Sequence, residues 1–206
     1  MSGNPSVEFF DKQFERQVRE HDLALNPFEL AALPHLNGRV LDLGCGMGNL
    51  AVAAARRGCS VLALDGSATA IEHLRSVAAA ERLDVEAPQV DLSHYEIGET
   101  FDTTVSIGLL MFFDCPSARW SLGDIQAHVR EGGTAIVNVL IEGTTYLDMF
   151  DADRHCLFER AALADHFAQW ELLRSEFSDF EAPGGRIKSF ATVIARKPHA
   201  AAAAGT

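Results

Sequence analysis

The stretch Val40-Leu41-Asp42-Leu43-Gly44-Cys45-Gly46-Met47-Gly48-Asn49 decides the fold. A short apolar run ends in an acid, a Gly-x-Gly-x-Gly turn follows, and an Ala-rich helical segment, residues 49–57, begins at once. This is a strand, a tight turn and a helix, the opening of an open α/β sheet, in which ligands sit at the carboxyl ends of strands. Glycines let the backbone pass close to a ligand. A dinucleotide site would want G-x-G-x-x-G, with the pyrophosphate on the helix N-terminus. Here the third glycine comes one residue early, and Asp42 would repel a pyrophosphate. A ligand with a cationic amine suits that strand end better.

Working outward, strands and helices alternate. Strands are expected at residues 39–43, 60–65, 85–90, 103–109 and 134–141, the third weakened by Pro88. Helices are expected at residues 49–57, 67–81 and 117–130, stopped by Gly58 and by Gly132-Gly133 at the first and last of these. Ser67 is a plausible cap. A further helix near residues 159–166 and a strand near 170–177 follow, and a Pro-Gly-Gly turn leads to a last strand at 186–195. Alternation of this kind makes a parallel sheet with right-handed crossovers. The last two strands, joined by a turn, should pair antiparallel. Before the first strand, residues 6–33 carry Phe9, Phe10, Phe14, Val18, Phe28, Leu30 and Leu33 at roughly helical spacing, with Asn26 placed to cap a helix opened by Pro27. We expect residues 1–36 to form a helical arm acting as a lid, 37–197 one catalytic domain, and 198–206 a disordered tail.

Composition excludes several function classes. The 206 residues are 48% apolar and 22% charged, enough to bury a core. Lys and Arg number 17 against 29 Asp and Glu, a formal net charge of −12. Such a chain lacks the basic face that nucleic acid or an anionic membrane requires. The longest apolar run, 107–113, is strand-sized, and the start of the chain lacks a signal-peptide pattern. The four cysteines, Cys45, Cys59, Cys115 and Cys156, are scattered without zinc or redox spacing, so reduced thiols in a cytoplasmic protein are expected. His155, Cys156 and His166 lack a third ligand at useful spacing, so no metal is expected.

The chemistry is read from successive strand ends. Asp65 closes the second strand, 17 residues after Gly48, where a carboxylate accepts both hydroxyls of a ribose. Asp91 follows the third, within reach of an adenine amine, with Leu92 beside it. An amine at Asp42, a ribose at Asp65 and an adenine at Asp91 together describe S-adenosylmethionine. Gly44, Cys45, Gly46 and Asn49 from the turn, and Gly66 and Ser67 after the second strand, complete the expected cofactor set, and Ile107 lies under the methionine part. The segment Ser106-Ile107-Gly108-Leu109-Leu110-Met111-Phe112-Phe113 is almost wholly apolar, a dry wall suited to methyl transfer onto a soft nucleophile without a strong base. Met111 and Phe112, Glu142 and Tyr146 past the fifth strand, and Phe10, Phe14, Arg19 and His21 of the arm are the expected acceptor-pocket residues.

At these residues the chain resembles class I S-adenosylmethionine-dependent methyltransferases, and more narrowly the tellurite-resistance (TehB-like) family. The narrower likeness rests on Phe101-Asp102 through Val105-Ser106 to Met111-Phe112, on Gln169-Trp170-Glu171, and on Gly185-Arg186-Ile187-Lys188 with Phe190-Ala191-Thr192 and Ala195-Arg196-Lys197. The resemblance implies a Rossmann-like seven-stranded sheet, mostly parallel with an antiparallel last strand and helices on both faces. It implies methyl transfer to a small molecule, tellurite or selenite, with Arg186 holding the oxyanion, by a monomer or homodimer. Where the family carries a His-Arg pair, this chain reads Ser178-Asp179-Phe180-Glu181. An organic oxygen, nitrogen or thiol acceptor, and a cofactor-binding module without catalysis, stand as alternatives.

Overall fold

The five residues of β1, Arg39–Leu43, are almost entirely buried, as a strand flanked on both sides and covered on both faces must be. A computed structural model describes residues 10, 11, 13, 14, 17, 24–150 and 154–199. Its sheet has seven strands: β1, β2 (Ser60–Leu64), β3 (Val85–Glu86), β4 (Phe101–Ile107), β5 (Val129–Leu140), β6 (Glu171–Ala182) and β7 (Arg186–Arg196). Their order is β3-β2-β1-β4-β5-β7-β6. Only β7 runs against its neighbours, antiparallel to both β5 and β6. The chain works outward from β1 to β3, then crosses back to β4, so strand order reverses between β1 and β4, where such sheets bind ligands.

Alternate residues of each strand feed two cores. Val40, Val61, Val105, Ile136 and Ile194 pack against α1 (Pro27–Ala32), α2 (Asn49–Arg56) and α3 (Ala68–Glu81). Leu41, Leu64, Phe101, Val137 and Val193 pack on the other face against α4 (Cys115–Ala127) and α5 (Ala162–His166). Helix starts carry local caps. Asn26 accepts from the Phe28 and Glu29 amides while Glu29 answers the Asn26 amide, a full capping box ahead of Pro27. Ser67 caps α3 through the Ala70 amide, and Asp114 caps α4 through that of Ser117.

Four expectations need correction. The third strand is two residues long with one further bridge, Asp65 to Gln89, because Pro88 has no amide to donate. Helix α4 starts two residues early, at Cys115 with Pro116 in its first turn, and ends at Ala127; β5 then runs straight through Gly132-Gly133, the pair read as a helix stop. Strand β6 extends to Ala182, five residues past its expected end, because it stays paired with β7 up to the Ala182–Arg186 pair at the turn. Finally, Cys115 and Cys156 are a disulfide, with Cα atoms 4.8 Å apart, not free thiols; Cys45 and Cys59 are free and buried. The Cys156 amide donates to the Met111 carbonyl at 3.0 Å, which lays its segment beside the start of α4. Partners 41 positions apart leave no sequence spacing by which to pair them.

Residues 10, 11, 13, 14 and 17 are helical, and a short 3-10 turn, Leu33–His35, links α1 toward β1. Arg19, His21 and residues 200–206 of the expected tail lie outside the described residues. No helix among the described residues is long and apolar enough to cross a membrane.

Candidate active site

A cavity of about 1310 Å³ opens over the carboxyl ends of β1, β2, β4 and β5. Its floor is the glycine turn. Gly44 and Cys45 donate their amides to the Leu64 carbonyl, at 2.8 and 3.0 Å, which ties the turn to the end of β2. Gly44 has φ +73°, and a Cβ there would lie 2.9 Å from that of Leu109. Gly48 has φ +75° and lies so close to Leu74 that a Cβ would meet its Cδ1 at 2.5 Å. Any side chain at either position would be strained and would push on the wall or on α3.

Asp42 closes β1 under this turn and is 5% exposed. Its Oδ2 is buried and has no hydrogen-bond partner among the described residues. Burial pushes its pKa up to about 8, helped by the nearby charges of Glu29 and Asp65. A carboxylate oxygen facing a cavity without a donor is incomplete, and an ammonium group would complete it.

Asp65 at the end of β2 is a strut as well as a lining residue. Its Oδ2 accepts the Gly46 amide at 2.9 Å and its Oδ1 the Ser67 amide at 2.8 Å. Burial raises its pKa, and these amides offset part of the rise. Asp91 after β3 accepts from the Ser93 hydroxyl at 2.6 Å and the Ser93 amide at 3.0 Å, which hold its carboxyl below the usual range. The Cys45 thiol, which also lines the cavity, is pushed well up by burial, with Asp42 and Asp65 adding to the effect, so it is no nucleophile.

The structure brings nearly every expected site residue into one cavity. Asp42, Gly44, Cys45, Gly46, Asn49, Asp65, Gly66, Ser67, Asp91, Leu92 and Ile107 all line it. So do Phe10, Phe14, Met111, Phe112 and Tyr146. The arm lies over the turn: Phe10 meets Phe112 edge-on at 5.1 Å, Phe14 approaches Gly46, and the Ser67 hydroxyl donates to Asp11. Glu142 is exposed and outside the lining.

Arg186 also stands off the lining. Its guanidinium forks onto Asp148 at 2.5 and 2.8 Å, its Nε donates to the Pro183 carbonyl, and it stacks over Tyr146 at 4.6 Å. Among the described residues the cation that lines the cavity is Lys188, two residues on and over the same ring at 4.9 Å. Sequence reasoning did not single out Lys188, nor Phe28, Phe180, Phe190 and Asn138, all of which line the cavity. Their signal is positional: Asn138 pairs with Thr192, Leu140 with Phe190, and Phe180 with Lys188 across neighbouring strands, so their side chains share one sheet face.

Residues 40–133 match a family model described as a methyltransferase domain. That match covers a little under half of the chain; with the strand order and the acid-and-glycine floor above, the chain is similar to class I S-adenosylmethionine-dependent methyltransferases, TehB proteins among them. The Haemophilus influenzae protein named probable S-adenosyl-L-methionine-dependent methyltransferase TehB is 27% identical over 166 residues, which are 77% of this chain and 57% of that protein. An Eikenella corrodens protein named hemagglutinin 1 is 29% identical over 170 residues, 78% of this chain and 55% of that one. The crystal structure of TehB from Haemophilus influenzae shares the fold with a TM-score of 0.72 at 24% identity, covering 84% of this chain and 63% of that one. The chain spans somewhat more than half the length of these curated relatives.

Proposed function

We propose that the protein transfers the methyl group of S-adenosylmethionine to a small molecule held in the same cavity. The observation that carries this reading is the buried, unpartnered Oδ2 of Asp42 at the end of β1, facing a cavity floored by the glycine turn. The residues fit the cofactor. Asp42 takes its ammonium group, Asp65 and Ser67 its ribose, Asp91 and Leu92 its adenine, and Ile107 backs its methionine chain. When bound, S-adenosylmethionine supplies an electrophilic methyl carbon on a sulfonium. The chain's own work is placement and exclusion of water. Leu109, Met111, Phe112, Phe10 and Phe14 wall the reacting region with apolar surface, where a nucleophile sheds its hydration and is held in line. The arm serves as the lid.

The likeness to TehB proteins and the motif around Arg186 support a tellurite or selenite acceptor, with Arg186 as its clamp if Asp148 gives way. The cavity supports an organic acceptor more strongly. The part away from the glycine turn is lined by aromatic rings instead of the fork of cations an oxyanion requires.

The test is turnover. Purified protein with S-adenosylmethionine is offered tellurite, selenite and a panel of phenols, amines and thiols, with demethylated cofactor and headspace products measured by mass spectrometry. Acceptor-dependent product from the organic panel is the expected result. Volatile tellurium alone would return the assignment to the oxyanion. Tight cofactor binding without product from any acceptor would favour the non-catalytic module.

A further inference from the structure

Lys188, Asn138 and an aromatic cluster meet on one face of the sheet. Residues 188, 190 and 192 of β7 point the same way, as every second residue of a strand does. Lys188 stands directly across from Phe180 of β6, and Thr192 across from Asn138 of β5. Phe28 of α1 closes over this face, with its ring 4.9 Å from that of Phe190 and 5.5 Å from that of Phe180. Phe180 and Phe190 meet edge-on at 5.8 Å. The result is a packed aromatic cluster that gives this side of the cavity an apolar surface.

Two polar groups break that surface. The Asn138 amide nitrogen donates to the Thr192 hydroxyl at 2.9 Å, while its buried Oδ1 has no partner among the described residues. Asn138 is 0% exposed and lines the cavity. Lys188 is half-buried. Its recorded contact is the face of Tyr146, and it forms no ion pair with a carboxylate among the described residues. Among the described residues on or beside the lining around it, two other charged groups are already committed and one, Glu181, is not. Arg186 is held by Asp148, and Glu29 accepts the Asn26 amide. Glu181 is the acid beside it on the lining. Half-buried ammonium groups are stable when an anion answers them, and burial here pulls the Lys188 pKa down.

We propose that the methyl acceptor is an aromatic molecule bearing an ionisable hydroxyl or thiol, its ring laid against the Phe28, Phe180 and Phe190 cluster and its anion paired with Lys188. This deepens the function proposed above and rests on it. Lys188 in its neutral form takes the proton from the acceptor's O–H or S–H, giving an oxyanion or thiolate beside an ammonium. The anion's lone pair forms the new bond to the methyl carbon, and the carbon–sulfonium bond breaks with its electrons passing to sulfur. The lysine proton leaves to water as the neutral ether or thioether departs. The free Oδ1 of Asn138 accepts a hydrogen bond from a second donor on the acceptor. Lys188 therefore acts as base and counter-ion, and Asn138 as a specificity-determining residue.

The experiment uses 4-nitrophenol and 4-nitrothiophenol, whose anions absorb in the visible, with the full chain. Calorimetry first establishes cofactor binding in the wild type and in Lys188→Met. Titrating each probe bound to the cofactor-product complex should show its ionisation shifted to lower pH in the wild type. Lys188→Met should abolish the shift and weaken binding of the anion roughly tenfold, while Lys188→Arg restores the shift. Methyl transfer to whichever probe binds, oxygen or sulfur, should fall in Lys188→Met with its pH profile displaced. Equal ionisation and turnover in wild type and Lys188→Met, or methylation of tellurite with neither probe bound, would overturn the inference. Failure of the wild type to bind the cofactor would instead remove the methyltransferase reading beneath it.

Discussion

Asp42, Asp65 and Asp91 stand at three successive strand ends, the last two fixed by amides, whereas Phe28, Phe180, Lys188 and Phe190 come from opposite ends of the chain. In the proposed function the first group forms the cofactor half of the cavity and the second the acceptor half. The cofactor half is held by main-chain hydrogen bonds to a turn whose glycines admit no side chain. The acceptor half is held by ring packing across a hairpin and one helix. A ligand common to many enzymes meets rigid backbone, and a ligand particular to one meets replaceable side chains. The physical lesson is that substitutions should behave differently in the two halves.

The largest effect is expected at Asp42. Asp42→Ala removes the buried acceptor for an ammonium group and should weaken S-adenosylmethionine binding on the order of 100-fold, read by calorimetry. Loss of acceptor turnover with cofactor affinity unchanged would erase the division between the halves.

Next is the disulfide, which fixes the segment around Cys156 beside the start of α4 and the Met111 carbonyl. Closing a loop with partners 41 positions apart constrains the unfolded chain by roughly 3–4 kcal/mol in the chain-entropy account. Cys115→Ser with Cys156→Ser should lower the unfolding free energy by a sizeable part of that while leaving cofactor affinity nearly intact. Denaturant titration in oxidising and reducing buffer checks it, and thiol labelling of the native protein reads the compartment's redox state.

A smaller effect follows from protons. Asp42 titrates near 8 in the folded protein against 3.8 as its ordinary value. Between about pH 4 and 8 the native state therefore holds a proton that the unfolded state has lost, so this group's contribution to stability falls as pH rises through that window. Asp65 and Glu29, also raised by burial, act in the same direction. Asp42→Asn should flatten the decline without removing it, as measured by urea midpoints at pH 5 and 8.

The smallest effect is expected at Arg186. Its pair with Asp148 is exposed, and such pairs are screened by solvent and contribute little. Arg186→Ala should leave stability nearly unchanged and cost less acceptor turnover than Lys188→Met. A reversed order would give the acceptor anion back to Arg186.

The same contrast explains what could be read from sequence. The strand, the glycine turn and the acids form contiguous or regularly spaced patterns, so the residues that meet around the glycine-turn end of the cavity were legible. The cap at Asn26 was legible for the same local reason, though the answering Glu29 was not singled out. The acceptor half was not, because its members meet only through cross-strand register, Phe180 with Lys188 and Asn138 with Thr192, which no short spacing encodes. Arg186 drew notice by its motif, yet its place at the hairpin turn delivers it to Asp148 and the Pro183 carbonyl. The Cys115–Cys156 bond depends on a loop returning to α4, a long-range contact of the same kind.

The most direct test of the central claim is proton release on cofactor binding. S-adenosylmethionine is titrated into the protein by calorimetry at pH 7 in two buffers of different ionisation enthalpy. If the buried Asp42 carboxyl ionises to receive the ammonium group, close to one proton per site leaves the wild type and none leaves Asp42→Asn. Binding with no proton released, or equal release from Asp42→Asn, would contradict it.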